Sequence, residues 1–227
     1  MEVMTVLHVG PIRITEPVIT TWGIMLLFLA LSWTATRNLR QDAGPVQVVL
    51  EGLIETMDQA VRDVLPSAAA QVLPFIGTLW IFLVVANLAG IVPGLHAPTG
   101  VLSTTAALAV LVFLSVHWFG IRLQGVNAYL QHYLSPSPIL LPFHVMSEVT
   151  RTVALAIRLF GNIMSLEMAA LLVLMVAGFL VPVPLLILHV VEALIQAYIF
   201  GMLALIYIAS AIQSQQLRQS EKRDNHA

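Results

Sequence analysis

A charged side chain embedded in an apolar run is the first feature of this sequence that demands chemistry. Arg158 lies in Ala154-Leu155-Ala156-Ile157-Arg158-Leu159-Phe160-Gly161, and no acid stands three or four residues away to pair with it along a helix. Insertion scales put an arginine at the centre of a membrane helix at about 2.5 to 3.5 kcal/mol, so its presence needs a functional or pairing explanation. A guanidinium does not titrate in a protein; it is a fixed positive charge that attracts an anion and repels a cation.

A second set of residues can change charge. Glu167, His189 and Glu192 are titratable groups in apolar surroundings. A cluster of that kind can relay protons or line a water-filled path for a cation, because burial and mutual charge tune its pKa values. At about 100° per residue, Glu148, Arg151, Leu155, Arg158, Asn162 and Ser165 follow steps of three and four and form one stripe. Glu167 breaks it, lying roughly 180° around the axis from Arg158 and about 13 to 14 Å further along. On the next helix His189, Glu192 and Gln196 share a face by the same spacing. Packed side by side, the two helices would bring Glu167 toward the His189 and Glu192 end. Other polar residues have plainer readings. Glu148 with Arg151 reads as an interfacial ion pair, Tyr198 and Tyr207 as packing residues, and His96, His117, His132 and His144 as structural residues near turns and span ends.

The elements that must position these groups are membrane helices. Of the 227 residues 59% are hydrophobic and only 10% charged, far from the composition of a soluble domain. Twelve acids nearly cancel ten bases, which leaves no basic surface for nucleic acid. The absence of cysteine removes disulfides, thiolate metal sites and a thiol nucleophile. No Gly-x-x-x-x-Gly-Lys loop is present to cradle a nucleotide, and no cofactor is implied. Residues 1–18 lack the basic head and cleavage site of a signal peptide and read as an external tail. The expectation is an all-α integral membrane protein in one membrane domain over 1–227. Its parts are a span at 19–36, an amphipathic surface helix at 45–64, spans at 72–93 and 101–121, and two long, steeply tilted helices at 139–180 and 184–213. Pro93-Gly94 closes the second span, and 124–138 forms a turn-rich connector. The run from Gly178 to Pro184 makes the hairpin turn, and 214–227 forms a cytoplasmic tail. Arg37, Arg40, Arg122, Arg218, Lys222 and Arg223 fall on one side of this topology, which puts the N-terminus outside and the C-terminus in the cytoplasm.

At Arg158-Leu159-Phe160-Gly161-Asn162 the chain resembles subunit a of F-type ATP synthases. The similarity runs from about Trp22 to Ser210 and includes Ala86-Asn87-Leu88-Ala89-Gly90-Ile91-Val92-Pro93-Gly94 and Gln196-Ala197-Tyr198-Ile199-Phe200. The resemblance implies a stationary, multi-pass subunit of a bacterial inner membrane with no catalytic residue, metal or nucleotide of its own, which takes part in ATP synthesis and in hydrogen-ion or sodium transport. Its implied partners are a rotating ring of c subunits, the b subunits of the peripheral stalk, and lipid. Arg158 matches the arginine that faces each ring carboxylate, with Asn162 and Gln196 as its polar neighbours. Glu167 and His189 match an acid and histidine pair in one of two offset half-channels, and Asn87 a polar position on the same path. Glu192 is an additional acid. Where many relatives read Pro-Thr-Ala-Asp-Leu-Asn, this chain has Pro98-Thr99-Gly100-Val101-Leu102-Ser103, so the outer mouth is expected to be built differently. The stretch Ile19 to Met25 resembles the N-type ATPase branch. The competing readings are a self-contained ion or solute transporter using Glu167, His189 and Glu192, and a metalloenzyme on His189 and Glu192, which lacks a His-Glu-x-x-His helix.

Overall fold

The computed structural model describes residues 5–9, 12–37, 44–92, 95–126, 141–177 and 182–224. Among them are six long helices: α1 Glu16–Arg37, α2 Pro45–Val64, α3 Ala69–Leu88, α4 Leu102–Gln124, α5 Leu141–Ala177 and α6 Pro182–Asp224. Five carry stretches long and apolar enough to cross a membrane: Glu16–Thr34, Ala69–Ile91, Leu102–Leu123, Val145–Val176 and Pro184–Ile212. The chain is thus an all-α membrane protein, with α2 as its one amphipathic helix.

Two stretches differ from the expected outline. Before α1 the chain forms a small antiparallel hairpin, β1 Thr5–Val9 with β2 Ile12–Thr15, in which Thr5 faces Thr15 and Val9 faces Ile12. The β-branched residues Thr5, Val6, Val9, Ile12, Ile14 and Thr15 favour extended chain, a signal too short to register beside the spans. At the other end α6 runs past residue 213 through the segment read as a tail. The expected closure at Pro93-Gly94, most of the 124–138 connector, the start of the long helix at 139, the hairpin turn from Gly178 and the last tail residues lie outside the described residues.

Local chemistry accounts for the helix that stays out of the membrane. Gly44 is extended ahead of α2 and Pro45 occupies its first turn, where a missing N–H costs nothing. Glu51, Glu55 and Asp58 keep one side polar, with Arg62 paired to Asp58 at 2.6 Å and Gln47 donating to Glu51 at 2.7 Å. Val61 and Leu65 at its end are fully buried against α3.

The core is a seam of α3, α4, α5 and α6, in which Val72, Ile76 and Leu83 meet Val112, Leu155, Leu159, Phe200 and Leu205. Lipid is as apolar as leucine, so this packing rests on close van der Waals fit and not on escape from water. Small residues supply it: Ala156, Ala193, Ala197, Ala204 and Ala209 are buried at the seam. Gly201 is the tightest point, since a Cβ there would overlap the Trp80 indole. That ring donates from Nε1 to the Tyr198 carbonyl at 3.3 Å and stacks on the Tyr198 ring at 6.2 Å. Outside the seam Trp22, Leu29, Trp33, Leu114 and Trp118 are exposed, an apolar belt suited to lipid.

Helices α5 and α6 have 37 and 43 residues. At 1.5 Å per residue they are about 55 and 65 Å long, against a hydrocarbon layer of ~30 Å. Each must tilt or emerge, which spreads its polar residues over distinct depths.

Candidate functional site

Between α3 and α4 the chain makes two short 3-10 turns, Ala89–Ile91 and Pro98–Gly100, and between them they hold the end of Glu167. A methyl group built on Gly90 would stand 3.3 Å from Glu167 Oε1, and one on Gly100 3.2 Å from Oε2. The two glycines are therefore the walls against which the carboxylate lies. Asn87, on the last turn of α3, is fully buried and donates from Nδ2 to the Ala193 carbonyl of α6 at 3.2 Å. The buried His189 places Nε2 at 3.3 Å from the Asn87 carbonyl, so it donates there when that nitrogen is protonated. His189 and His96 both lie within electrostatic reach of Glu167. Three buried atoms here, Glu167 Oε1, Asn87 Oδ1 and Thr99 Oγ1, have no hydrogen-bond partner among the described residues. An orphaned buried polar atom costs about 1 to 3 kcal/mol, and a cluster of three marks a place arranged for something other than stability.

At the surface of this region His96 Nδ1 lies 3.0 Å from Glu16 Oε1, tying the segment between α3 and α4 to the start of α1. The hydrogen bond that His96 makes to Glu16 raises the pKa of His96 above the ordinary histidine value, against partial desolvation and with help from the charges of Glu16 and Glu167.

Arg158 has the opposite surroundings. It is exposed and has neither hydrogen bond nor ion pair among the described residues. Ala154, Gly161 and Ser165 flank it on the same open face, and a side chain at Gly161 would meet nothing within 4 Å. Leu155, Leu159 and Ile163, on the other side of the helix, are buried. Asn162 stands at the boundary and donates from Nδ2 to Oε1 of the buried Gln196 at 2.7 Å. The stripe read from the sequence is thus divided: Arg151, Arg158 and Ser165 face outward, Leu155 faces the core and Asn162 turns to α6.

Toward the start of α5 a third group gathers. His117 Nε2 lies 3.4 Å from Glu148 Oε2, and the Arg151 guanidinium sits 5.5 Å above the Tyr207 ring. The ion pair expected between Glu148 and Arg151 gives way to these partners, because each finds a better-placed neighbour on α4 or α6 than along its own helix. Glu148 and Glu167 stand about 28 Å apart along α5, with Arg158 near the midpoint.

Of the residues singled out by sequence, Asn87, Glu167 and His189 come together, and so do Asn162 and Gln196. Glu192 is half-buried, one turn beyond His189, with no hydrogen bond among the described residues. Glu16 and His96 were not singled out for this site, yet they meet beside the turn whose Gly100, together with Gly90, lies against the Glu167 carboxylate. Nothing local pairs residues 16 and 96; the glycines beside the turn were the one available signal.

The model of the ATP synthase A chain family matches residues 18–209. A protein of Pelobacter propionicus, ATP synthase subunit a 2, is 60% identical over 217 residues, covering 96% of this chain and 95% of its own length. ATP synthase subunit a 1 of Hahella chejuensis is 61% identical over 207 residues, 91% of this chain and 88% of its own. ATP synthase subunit a of Legionella pneumophila strain Paris is 55% identical over 211 residues, 92% of each chain.

Proposed function

Because this chain belongs to the ATP synthase A chain family, whose members are membrane-sector subunits for ion translocation, we propose that it is the stationary channel subunit and passes protons or sodium ions between two offset half-channels and a ring of c-subunit carboxylates. The observation that carries this reading is the separation of Arg158 from Glu167. The guanidinium is exposed on an open face without a partner among the described residues, while the carboxylate lies against two glycines roughly half a turn around the helix and about 13 to 14 Å further along.

In this mechanism the enclosed group, Glu167 with Asn87, His189 and Glu192, lines the path from outside. An ion that crosses it neutralises a ring carboxylate, and the neutral site then turns into lipid. After nearly a full turn the carboxylate returns to Arg158, whose fixed charge draws it in and repels the cation, so the ion leaves by the second path toward the start of α5. Asn162 and Gln196, hydrogen-bonded to each other, hold the polar border between the arginine and the seam. Each unit charge moved across 100 mV releases about 2.3 kcal/mol, so several ions are needed per ATP. The subunit itself binds no nucleotide. It sits in a bacterial inner membrane with the N-terminus outside and the C-terminus in the cytoplasm, against the c-ring and the peripheral-stalk b subunits.

The test is ATP-driven ion pumping by the whole complex in vesicles, with and without Arg158→Ala, at varied sodium and with a protonophore. Loss of coupled pumping in an assembled complex supports the reading, and sodium dependence that resists protonophore names the ion. Undiminished pumping would show Arg158 to be structural and the reading wrong.

A further inference from the structure

The Glu167 carboxylate must communicate with water somewhere, and the turn that lies against it follows a single titratable residue, His96. We propose that Glu16 and His96 form the outer mouth of the path, a hydrogen-bonded acid and base through which a proton passes between external water and the Glu167 carboxylate. The assignment rests on the channel reading above.

Four observations carry it. Glu16 begins α1 and His96 lies in the outer turn, and they meet at 3.0 Å where the chain covers Glu167. Their side chains are 30% and 62% exposed, so the pair reaches the surface, while Oε1 of the half-buried Glu167 is buried. The same turn forms the pocket wall: Ala97 follows His96 directly, and Gly100 touches the carboxylate. Thr99 Oγ1 in that turn and Glu167 Oε1 against it are buried without hydrogen-bond partners among the described residues. The loop at 89–101 has no other titratable residue. Among the described residues the charged or titratable groups around His96 are Glu16 from α1 and Glu167 from α5, and His189 of α6 is a further neighbour of Glu167.

The chemistry follows from the ring. Glu16 occupies Nδ1, which leaves Nε2 to exchange protons, and histidine is the side chain that titrates in the range of external pH. In the inward step Nε2–H breaks, its proton crosses to Glu167 through water, and an O–H bond forms there. The imidazole is left neutral until external water reprotonates Nε2. The outward step is the reverse. Glu16 favours the protonated ring, extending proton loading to higher pH.

The experiment uses the whole complex in liposomes, with the face bearing residue 96 toward a lumen of fixed pH. The initial rate of ATP-driven charge transfer is read with a potential-sensitive dye. His96→Ala and His96→Gln should each slow transfer by about tenfold or more in assembled complexes, and imidazole loaded into the lumen should restore most of the rate to His96→Ala. Glu16→Gln should move the high-pH edge of the lumen profile to lower pH. Wild-type rates in the His96 variants overturn the proposal. So does a loss that imidazole does not repair, which would make the pair a structural tie, or a wild-type rate set by sodium and indifferent to lumen pH. Arg158→Ala in the same liposomes separates the two claims. If it pumps normally the channel reading fails; if it is inactive while the His96 variants are normal, only the mouth is misassigned.

Discussion

The Glu167 pocket and the Arg158 face lie on one helix and are built on opposite plans. The pocket is built by the chain itself: two glycines and a turn lie against the carboxylate, with His189 of α6 within electrostatic reach. Nothing among the described residues encloses the arginine face, and the small residues Ala154, Gly161 and Ser165 flank Arg158 there. Burial tunes a pKa, so a group that must gain and lose a proton benefits from walls. A group that must stay charged needs no such tuning, and an open face lets it meet a carboxylate on a moving partner. Under the proposed function, the difference teaches that on α5 titration is managed within the subunit, while fixed charge is offered to a neighbour.

The sharpest way to break this comparison is to remove the fixed charge. Arg158→Gln removes the charge but leaves a polar side chain that can still donate hydrogen bonds, and should lower coupled pumping by more than about a hundredfold, the scale seen when a preorganised charge-stabilising group is lost from a water-excluded site. Thermal stability of the subunit should not fall, because Arg158 has no partner within the described residues to lose. A comparable fall in stability would mean the arginine is structural.

Bulk on the two faces should then act in opposite ways. Gly161→Val, where a side chain meets nothing within 4 Å, should leave detergent-purified subunit as stable as wild type yet cut pumping in the complex by about tenfold or more, since the new methyls meet a partner helix. Gly100→Val inserts bulk where Glu167 already stands at 3.2 Å. Overpacking costs about 1 to 3 kcal/mol, so the subunit should melt earlier, and pumping should fall with the displaced carboxylate. If Gly161→Val pumps normally, no partner packs on the arginine face.

How much of this was legible beforehand follows from the range of each signal. Five apolar spans and an amphipathic helix are local and periodic, so composition and spacing were enough. Arg158 was legible because an unpaired charge in an apolar run is anomalous wherever the chain folds. The half-turn offset of Glu167 followed from helical geometry alone. What spacing could not decide was which neighbour each group would choose: Glu148 turns to His117 and Arg151 to Tyr207 because helices α4 and α6 bring those rings close. The meeting of Glu16 with His96 depends on where α1 packs, a tertiary fact with no sequence period. The hairpin of β1 and β2 was passed over because its alternation is only four or five residues long.

The border between the two regions gives the smallest expected effect and the finest test of their separation. Asn162 and Gln196 share one hydrogen bond of 2.7 Å, Gln196 buried and Asn162 at the edge of the open face. Such a bond contributes about 1 kcal/mol net, so in a double-mutant cycle with Asn162→Ala and Gln196→Ala the stability coupling should be near that value. Each variant alone should slow pumping only a few-fold, since the pair positions polar surface and does not exchange ions. A coupling near zero would mean the amides act independently, with the border set by the apolar seam. A loss of pumping as deep as that of Arg158→Gln would place the amides inside the ion path and erase the distinction between an enclosed titrating pocket and an open charged face.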